Sequence, residues 1–174
     1  MFEFKDESKV LFCKLHPDAI IPSKRVEDSG YDIYALFDED YVVIKPHETK
    51  ILHTGLASVF SDRYGMFLHE RGSTGTKGIS QRCGVIDSGF RSEWMIPITN
   101  LNEIPLVIAK AHITKDQIKR LTGYYDFIVY PYTKAICQAV LQEIPRTEVE
   151  EINYEQLMSY KSERGEGKLG SSGK

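Results

Sequence analysis

A carboxylate held at the end of a strand beside an aromatic ring can take a proton from water for attack on something lying against that ring. The stretch Gly84-Val85-Ile86-Asp87-Ser88-Gly89-Phe90 supplies both groups. Apolar Val85 and Ile86 read as the end of a strand and Ser88-Gly89 as a turn. Asp87 therefore falls at a strand-to-turn junction, where a rigid scaffold displays functional side chains. An Asp at such a junction also caps its own turn, and a Phe at a strand start also serves as core, so the segment alone leaves both readings open. Four other segments accompany it in order: Ser29-Gly30-Tyr31-Asp32-Ile33, Glu70-Arg71-Gly72-Ser73-Thr74-Gly75, Ile136-Cys137-Gln138, and the Gly- and Ser-rich stretch from Arg164 to Gly173. Arg71 with its following hydroxyls and flexible amides suits an anion cradle. The last stretch reads as a phosphate-wrapping arm or as a flexible linker. It is not a P-loop, because no G-x-x-x-x-G-K-[ST] is completed.

In their order and spacing the five segments resemble the motifs of the trimeric dUTP diphosphatase family, from about residue 20 to the end of the chain. The resemblance implies hydrolysis of dUTP to dUMP and pyrophosphate, which keeps uracil out of DNA and supplies dUMP for thymidylate synthesis. It assigns Asp87 as general base, a role typically worth about 10²- to 10⁴-fold, and Gln138 a place near the phosphates and the catalytic water. Phe90 would lie beneath the deoxyribose and leave no room for a ribose 2′-hydroxyl, and Gly84 would offer its backbone to the uracil edge. Arg71, Gly72 and Ser73 would hold phosphates, Arg164 would meet the γ-phosphate, Leu169 would cover the base, and Gly170, Ser171 and Ser172 would wrap the phosphates. Asp32 either takes the family's acid position, holding Mg2+ through a water, or is a structural turn residue. Sites built from three subunits imply a homotrimer. The chain departs from the family pattern at Phe90 (Tyr), Glu70 (Pro), Gly72 (Ser), Leu169 (an aromatic) and Ala135 (Arg).

These segments need a scaffold, and the remaining pattern is one of short strands between turn signals. Val10 to Leu15, Tyr41 to Ile44, Thr49 to Leu56, Gly65 to Leu68, Trp94 to Thr99, Pro105 to Ala109 and Gln138 to Ile144 are rich in β-branched and aromatic residues. They predict an all-β domain of barrel or double-sheet type, and the family resemblance implies a distorted jelly-roll. Thr114 to Leu121 alone looks helical, with Thr114 as N-cap and Ile118 and Leu121 on one face. It sits in a segment, residues 112–133, that the five motifs do not need. The aromatic density there, with Tyr124, Tyr125, Phe127, Tyr130 and Tyr132, suggests packing on its own domain or against a protein partner. We read residues 1–147 as the β domain and 148–174 as an acidic linker, or short docking helix, leading into the arm.

Composition narrows the partners. In 174 residues the formal charge is -3 and the pI about 6.0, which gives no basic field for a nucleic-acid polymer. No apolar run approaches the roughly 20 residues that cross a bilayer, and the first residues lack a leader pattern, so a cytoplasmic protein is expected. Cys13, Cys83 and Cys137 lie outside any C-x-x-C pattern and read as small buried hydrophobes. The five histidines show no metal-ligand spacing. Two other readings are a dCTP deaminase-like enzyme and a family member acting mainly through protein binding at 112–133. Deamination would need a Glu seven residues after the aromatic, where this chain has Pro97.

Overall fold

The structure, a computed structural model, describes residues 9–163 and 165. It divides into two compact units, residues 1–144 and 145–174. The first is built from four small sheets. A four-stranded sheet runs in the order β2 (Gly30–Ile33), β12 (Cys137–Glu143), β6 (Tyr64–His69), β8 (Val85–Ile86), all antiparallel. A second joins β4 (Thr49–His53), β9 (Met95–Asn100) and β7 (Ile79–Gln81), and a pair joins β1 (Leu11–Lys14) to β5 (Leu56–Val59). The last sheet has the order β11 (Ile128–Pro131), β10 (Leu106–Ala109), β3 (Tyr41–Ile44) and contains a parallel pair, β10 with β11. The all-β expectation is met, with three short helices among the described residues: α1 (Gly72–Gly75), α2 (Lys115–Thr122) and α3 (Tyr154–Ser159).

The inner faces of these sheets close on one core. Ile33, Ile44, Met66, Trp94, Ile96, Ile98, Leu106 and Ile136 are essentially inaccessible, and Phe12 meets the Trp94 ring edge-on at 5.5 Å. Strand β10 reads Leu-Val-Ile-Ala with all four residues buried, the signature of a strand covered on both faces. Its other cover is α2: Ile118 packs with Val107 and Ala109, supported by Tyr41, Val43, Phe127 and Val129. The helix has the expected N-cap, with Thr114 Oγ1 accepting from the Gln117 amide at 3.2 Å. Leu121, however, is exposed, because so short a helix presents only one turn to the sheet.

Other local expectations are corrected. The run from Thr49 to Leu56 forms two strands rather than one. Gly55 has φ of +66°; its amide turns to Glu93 at 2.8 Å and its carbonyl accepts from the Leu15 amide at 2.7 Å beside β1. A β-carbon at Gly55 would come within 2.6 Å of Leu36. Of the three cysteines only Cys137 is buried; Cys83 is intermediate and Cys13 exposed. Of the aromatics of 112–133, Tyr130 is core, Tyr132 packs edge-on against Phe37 at 4.7 Å, and Tyr125 is exposed. In the second unit α3 is capped by Asn153, whose side chain accepts from the Gln156 amide at 2.9 Å, and none of its residues is buried.

Candidate active site

Register places three polar side chains in one row. Gln138 on β12 stands opposite Asp32 on β2 and opposite His69 on β6. Two residues beyond β6 the chain turns into the single turn of α1. Thr74 fixes that turn: its hydroxyl accepts from the Arg71 amide at 3.1 Å and donates to the Arg71 carbonyl at 2.9 Å. With its backbone held, the Arg71 guanidinium reaches back over the row to Asp32, Nε to Oδ1 at 2.9 Å and Nη2 to Oδ2 at 3.1 Å, while Nη1 donates to Ser73 Oγ at 3.3 Å. This is the two-point geometry in which a guanidinium matches a carboxylate or a phosphate. Gln138 donates to the Glu70 carbonyl at 3.3 Å. Gly30 lies close beside it: a β-carbon there would lie 3.1 Å from Gln138 Oε1 and press that side chain aside. Glu70 uses its own carboxylate to accept from Ser80 Oγ. Asp32, Arg71 and Gln138 line a cavity of about 540 Å³ together with Lys24, Arg25 and Asp28.

Asp87 stands elsewhere. It follows β8, exposed, in a turn closed by the Phe90 amide donating to the Asp87 carbonyl at 3.0 Å, with Ser88-Gly89 at the bend as expected. Arg91 braces the turn by donating to the Phe90 carbonyl at 3.1 Å. Asp87 and Phe90 line a second cavity, about 220 Å³, with Cys83, Val85, Glu93 and Met95. Phe90 is 38 % exposed, half open to this space rather than part of the core. Gly84 lies in the open: a β-carbon there would meet nothing within 4 Å, and its carbonyl accepts from the Leu68 amide at 2.9 Å. Burial pushes the Cys83 thiol up. Glu93 was not singled out from the sequence. Burial raises its carboxyl, but hydrogen bonds from His53 Nδ1 at 2.8 Å and from the Gly55 and Thr54 amides outweigh that and hold it below the usual 4.5.

The two cavities share no lining residue. Strands β2 and β8 are the opposite edges of their sheet, three interstrand spacings of about 4.8 Å apart. The structure thus brings Asp32, Arg71, Ser73 and Gln138 together and groups Asp87 with Phe90, with Gly84 nearby, but does not unite the two groups within one chain. Arg164, Leu169, Gly170, Ser171 and Ser172 lie outside the described residues. Tyr130 is buried in the core, its phenol donating to the Ala135 carbonyl at 2.6 Å. The sequence signal for it was the aromatic density of 112–133, and packing on its own domain is the role it takes. Among the described residues no group of three or more His, Cys, Asp or Glu is placed to hold a metal ion. Among the same residues no helix is long and apolar enough to cross a membrane.

Comparison with known proteins follows the same lines. The dUTPase family model matches residues 17–113. A deoxyuridine 5′-triphosphate nucleotidohydrolase of Leptospira interrogans is 30 % identical over 123 residues, 68 % of this chain and 84 % of that protein. Its counterpart in Nautilia profundicola is 29 % identical over 170 residues, 95 % and 99 % of the two chains. The dUTPase of Staphylococcus bacteriophage 80alpha with dUPNHPP superposes with a TM-score of 0.70 at 22 % identity, covering 96 % of this chain and 99 % of that one. With the family model spanning more than half of its residues, this chain belongs to the dUTPase family.

Proposed function

We propose that this protein hydrolyses dUTP to dUMP and pyrophosphate in the cytoplasm, with Asp87 activating the water that attacks the α-phosphorus. The observation that carries the reading is the pairing, in a dUTPase family member, of a small ring-lined cavity bearing a carboxylate with a larger one bearing the Arg71 guanidinium. The first suits a flat base and its deoxyribose over Phe90; Gly84 leaves its surroundings open for a uracil edge. The second suits the phosphates, with Arg71, Ser73 and the exposed Gly72 amide as donors. Gln138 orients the water, and the arm residues Arg164, Leu169, Gly170, Ser171 and Ser172 close the site over the base and phosphates.

Asp32 is the carboxylate next to the phosphate donors and is already tied to Arg71. Such a sparse donor set fits Mg2+, which keeps several waters and takes most of its remaining ligands from phosphate oxygens. Asp32 would hold the ion through water, and the bound ion would neutralise charge developing on the phosphates. Because the two cavities lie on opposite edges of one sheet, the proposal includes a homotrimer in which one copy's Asp87 cavity meets another copy's Arg71 cavity. Pro97, paired with Ile51 inside β9, supplies no acid where a deaminase would need one. That favours hydrolysis over deamination.

The test is pyrophosphate release from dUTP, dCTP, dTTP and UTP with Mg2+. Turnover confined to dUTP and lost in Asp87→Asn is the expected result. A folded protein inactive on all four nucleotides overturns the reading and favours a protein-binding role for 112–133.

A further inference from the structure

The link between β6 and α1 carries a carboxylate where the family pattern has a proline, and that carboxylate is tied to a different sheet. Glu70 follows His69, the last residue of β6, and its side chain accepts a hydrogen bond from Ser80 Oγ on β7. Ser80 is buried and stands opposite Thr99 on β9, so the donor sits on a fixed strand. The peptide between Glu70 and Arg71 is held at both ends. Its carbonyl accepts from Gln138 Nε2 at 3.3 Å, and its amide, that of Arg71, donates to Thr74 Oγ1 at 3.1 Å. A peptide group is planar, so one rotation of this plane moves the Gln138 contact and the start of the Arg71 turn together. Gln138 Nε2 is committed to that carbonyl, and Oε1 lies on the Gly30 side, 3.1 Å from where a β-carbon would stand. Gly30 and Gln138 both line the cavity that holds Arg71 and Asp32, so the acceptor oxygen is presented at its border. A proline at position 70 would restrict the backbone through its ring, with φ near about −65°. Glutamate carries no such restriction, and an untethered link would let the plane rock.

We propose that Glu70 is a positioning residue for hydrolysis: anchored on Ser80, its carboxylate fixes the peptide plane between Glu70 and Arg71, and through that plane the Gln138 amide. A tether to β7 thereby supplies the constraint that a proline ring supplies through φ. The side chain acts as a hydrogen-bond acceptor, not as a base or a phosphate ligand. This rests on the reading of Gln138 as the residue that orients the attacking water.

The experiment uses the full chain and follows turnover of dUTP with Mg2+, dUMP affinity and Tm in Glu70→Ala, Glu70→Gln and Ser80→Ala. Glu70→Ala removes the tether, and kcat is expected to fall about tenfold, equivalent to about 1.4 kcal/mol in the barrier, with KM and dUMP affinity changed less than about twofold. Ser80→Ala, which removes the donor, is expected to match it. Glu70→Gln can still accept from Ser80 and is expected to recover kcat to within about threefold of wild type. Made in a Gln138→Ala background, Glu70→Ala is expected to cost less than about twofold more, because the two residues act through one path. An unchanged kcat in Glu70→Ala overturns the proposal. So does a Glu70→Gln as slow as Glu70→Ala, which would assign the charge rather than the tether, and so do losses that simply add to those of Gln138→Ala. A joint fall of kcat, dUMP affinity and Tm also overturns it, as the mark of a bond that serves the fold alone. Should Glu70→Ala fail to fold, Ser80→Ala at wild-type kcat overturns it as well. Wild-type turnover beside an indifferent Glu70→Ala sinks this inference alone, whereas a wild type inactive on dUTP sinks the enzymatic reading and this one with it.

Discussion

Arg71 and Asp32 face each other through two contacts, at 2.9 and 3.1 Å, with both side chains about a quarter to a third exposed. The cation that would grip a phosphate is thus held by the carboxylate that would steady the metal. In the proposed function Arg71 would turn to a phosphate and Asp32 would hold Mg2+ through water, so that the ion's charge would offset that of the phosphates. Asp32→Asn keeps the shape and removes the charge. The expected outcome is a Mg2+ requirement raised about 10- to 100-fold, the usual cost of losing an outer-sphere partner, read by titrating Mg2+ against initial rate. An unchanged Mg2+ midpoint would return Asp32 to a purely structural role.

Asp87 is exposed in its turn, and the turn's closing hydrogen bond uses its carbonyl, not its carboxylate. Asp87→Asn should therefore shift stability by no more than about 0.5 kcal/mol, as surface changes do, while kcat falls about 10²- to 10⁴-fold. Steady-state kinetics beside thermal melts separate the two effects; a rate loss matched by a large drop in Tm would deny the catalytic assignment.

Asn100 is fully buried and joins two segments, the end of β3 and the loop between β9 and β10. Its amide nitrogen lies 3.1, 3.2 and 2.8 Å from the carbonyls of Ile44, Lys45 and Ile104, and its oxygen accepts from the Asn102 amide at 3.1 Å. Asn100→Leu leaves those groups without their partner in a dry site. A loss of roughly 2–4 kcal/mol is expected from urea unfolding. A loss under about 1 kcal/mol would mean that water replaces the side chain.

Glu93 gives the fold an acid sensitivity of known sign. Its carboxyl is held below 4.5 by His53 and the Gly55 and Thr54 amides. A depressed folded-state value means that the ionised form is favoured by folding. The stabilisation is complete above about 4.5 and is lost as pH falls through the folded-state value. Glu93→Gln should lower stability at pH 7 and flatten its decline on acidification, measured as Tm between pH 7 and 3. Parallel acid profiles for the two proteins would contradict this.

Much of the scaffold was legible because its strands carry local signals. Tyr41–Ile44 and Leu106–Ala109 are runs of β-branched and apolar residues, and Thr114 followed by Ile118 announces α2. Strand β7 was missed because Ile-Ser-Gln is too short to show alternation, and β11 because its aromatics read as insertion rather than as sheet. Gly55 hid a strand break that only its positive φ reveals. At the site, Asp87 and Arg71 stood out by type and neighbours. The contacts of Glu93 with Gly55 and of Arg71 with Asp32 join residues far apart in sequence, and pairings of that kind exist only once the sheets have closed.

The parallel pairing of β10 with β11 also bears on how the sheet ends. Strand β10, helix α2 and strand β11 form one β-α-β unit with its own apolar cluster of Val107, Ala109 and Ile118. Helix α2 and strand β11 extend the sheet at its margin while β3 keeps its register with β10 on the other side. Pro131 ends the new margin with a residue that has no amide hydrogen to offer, which discourages edge-to-edge association.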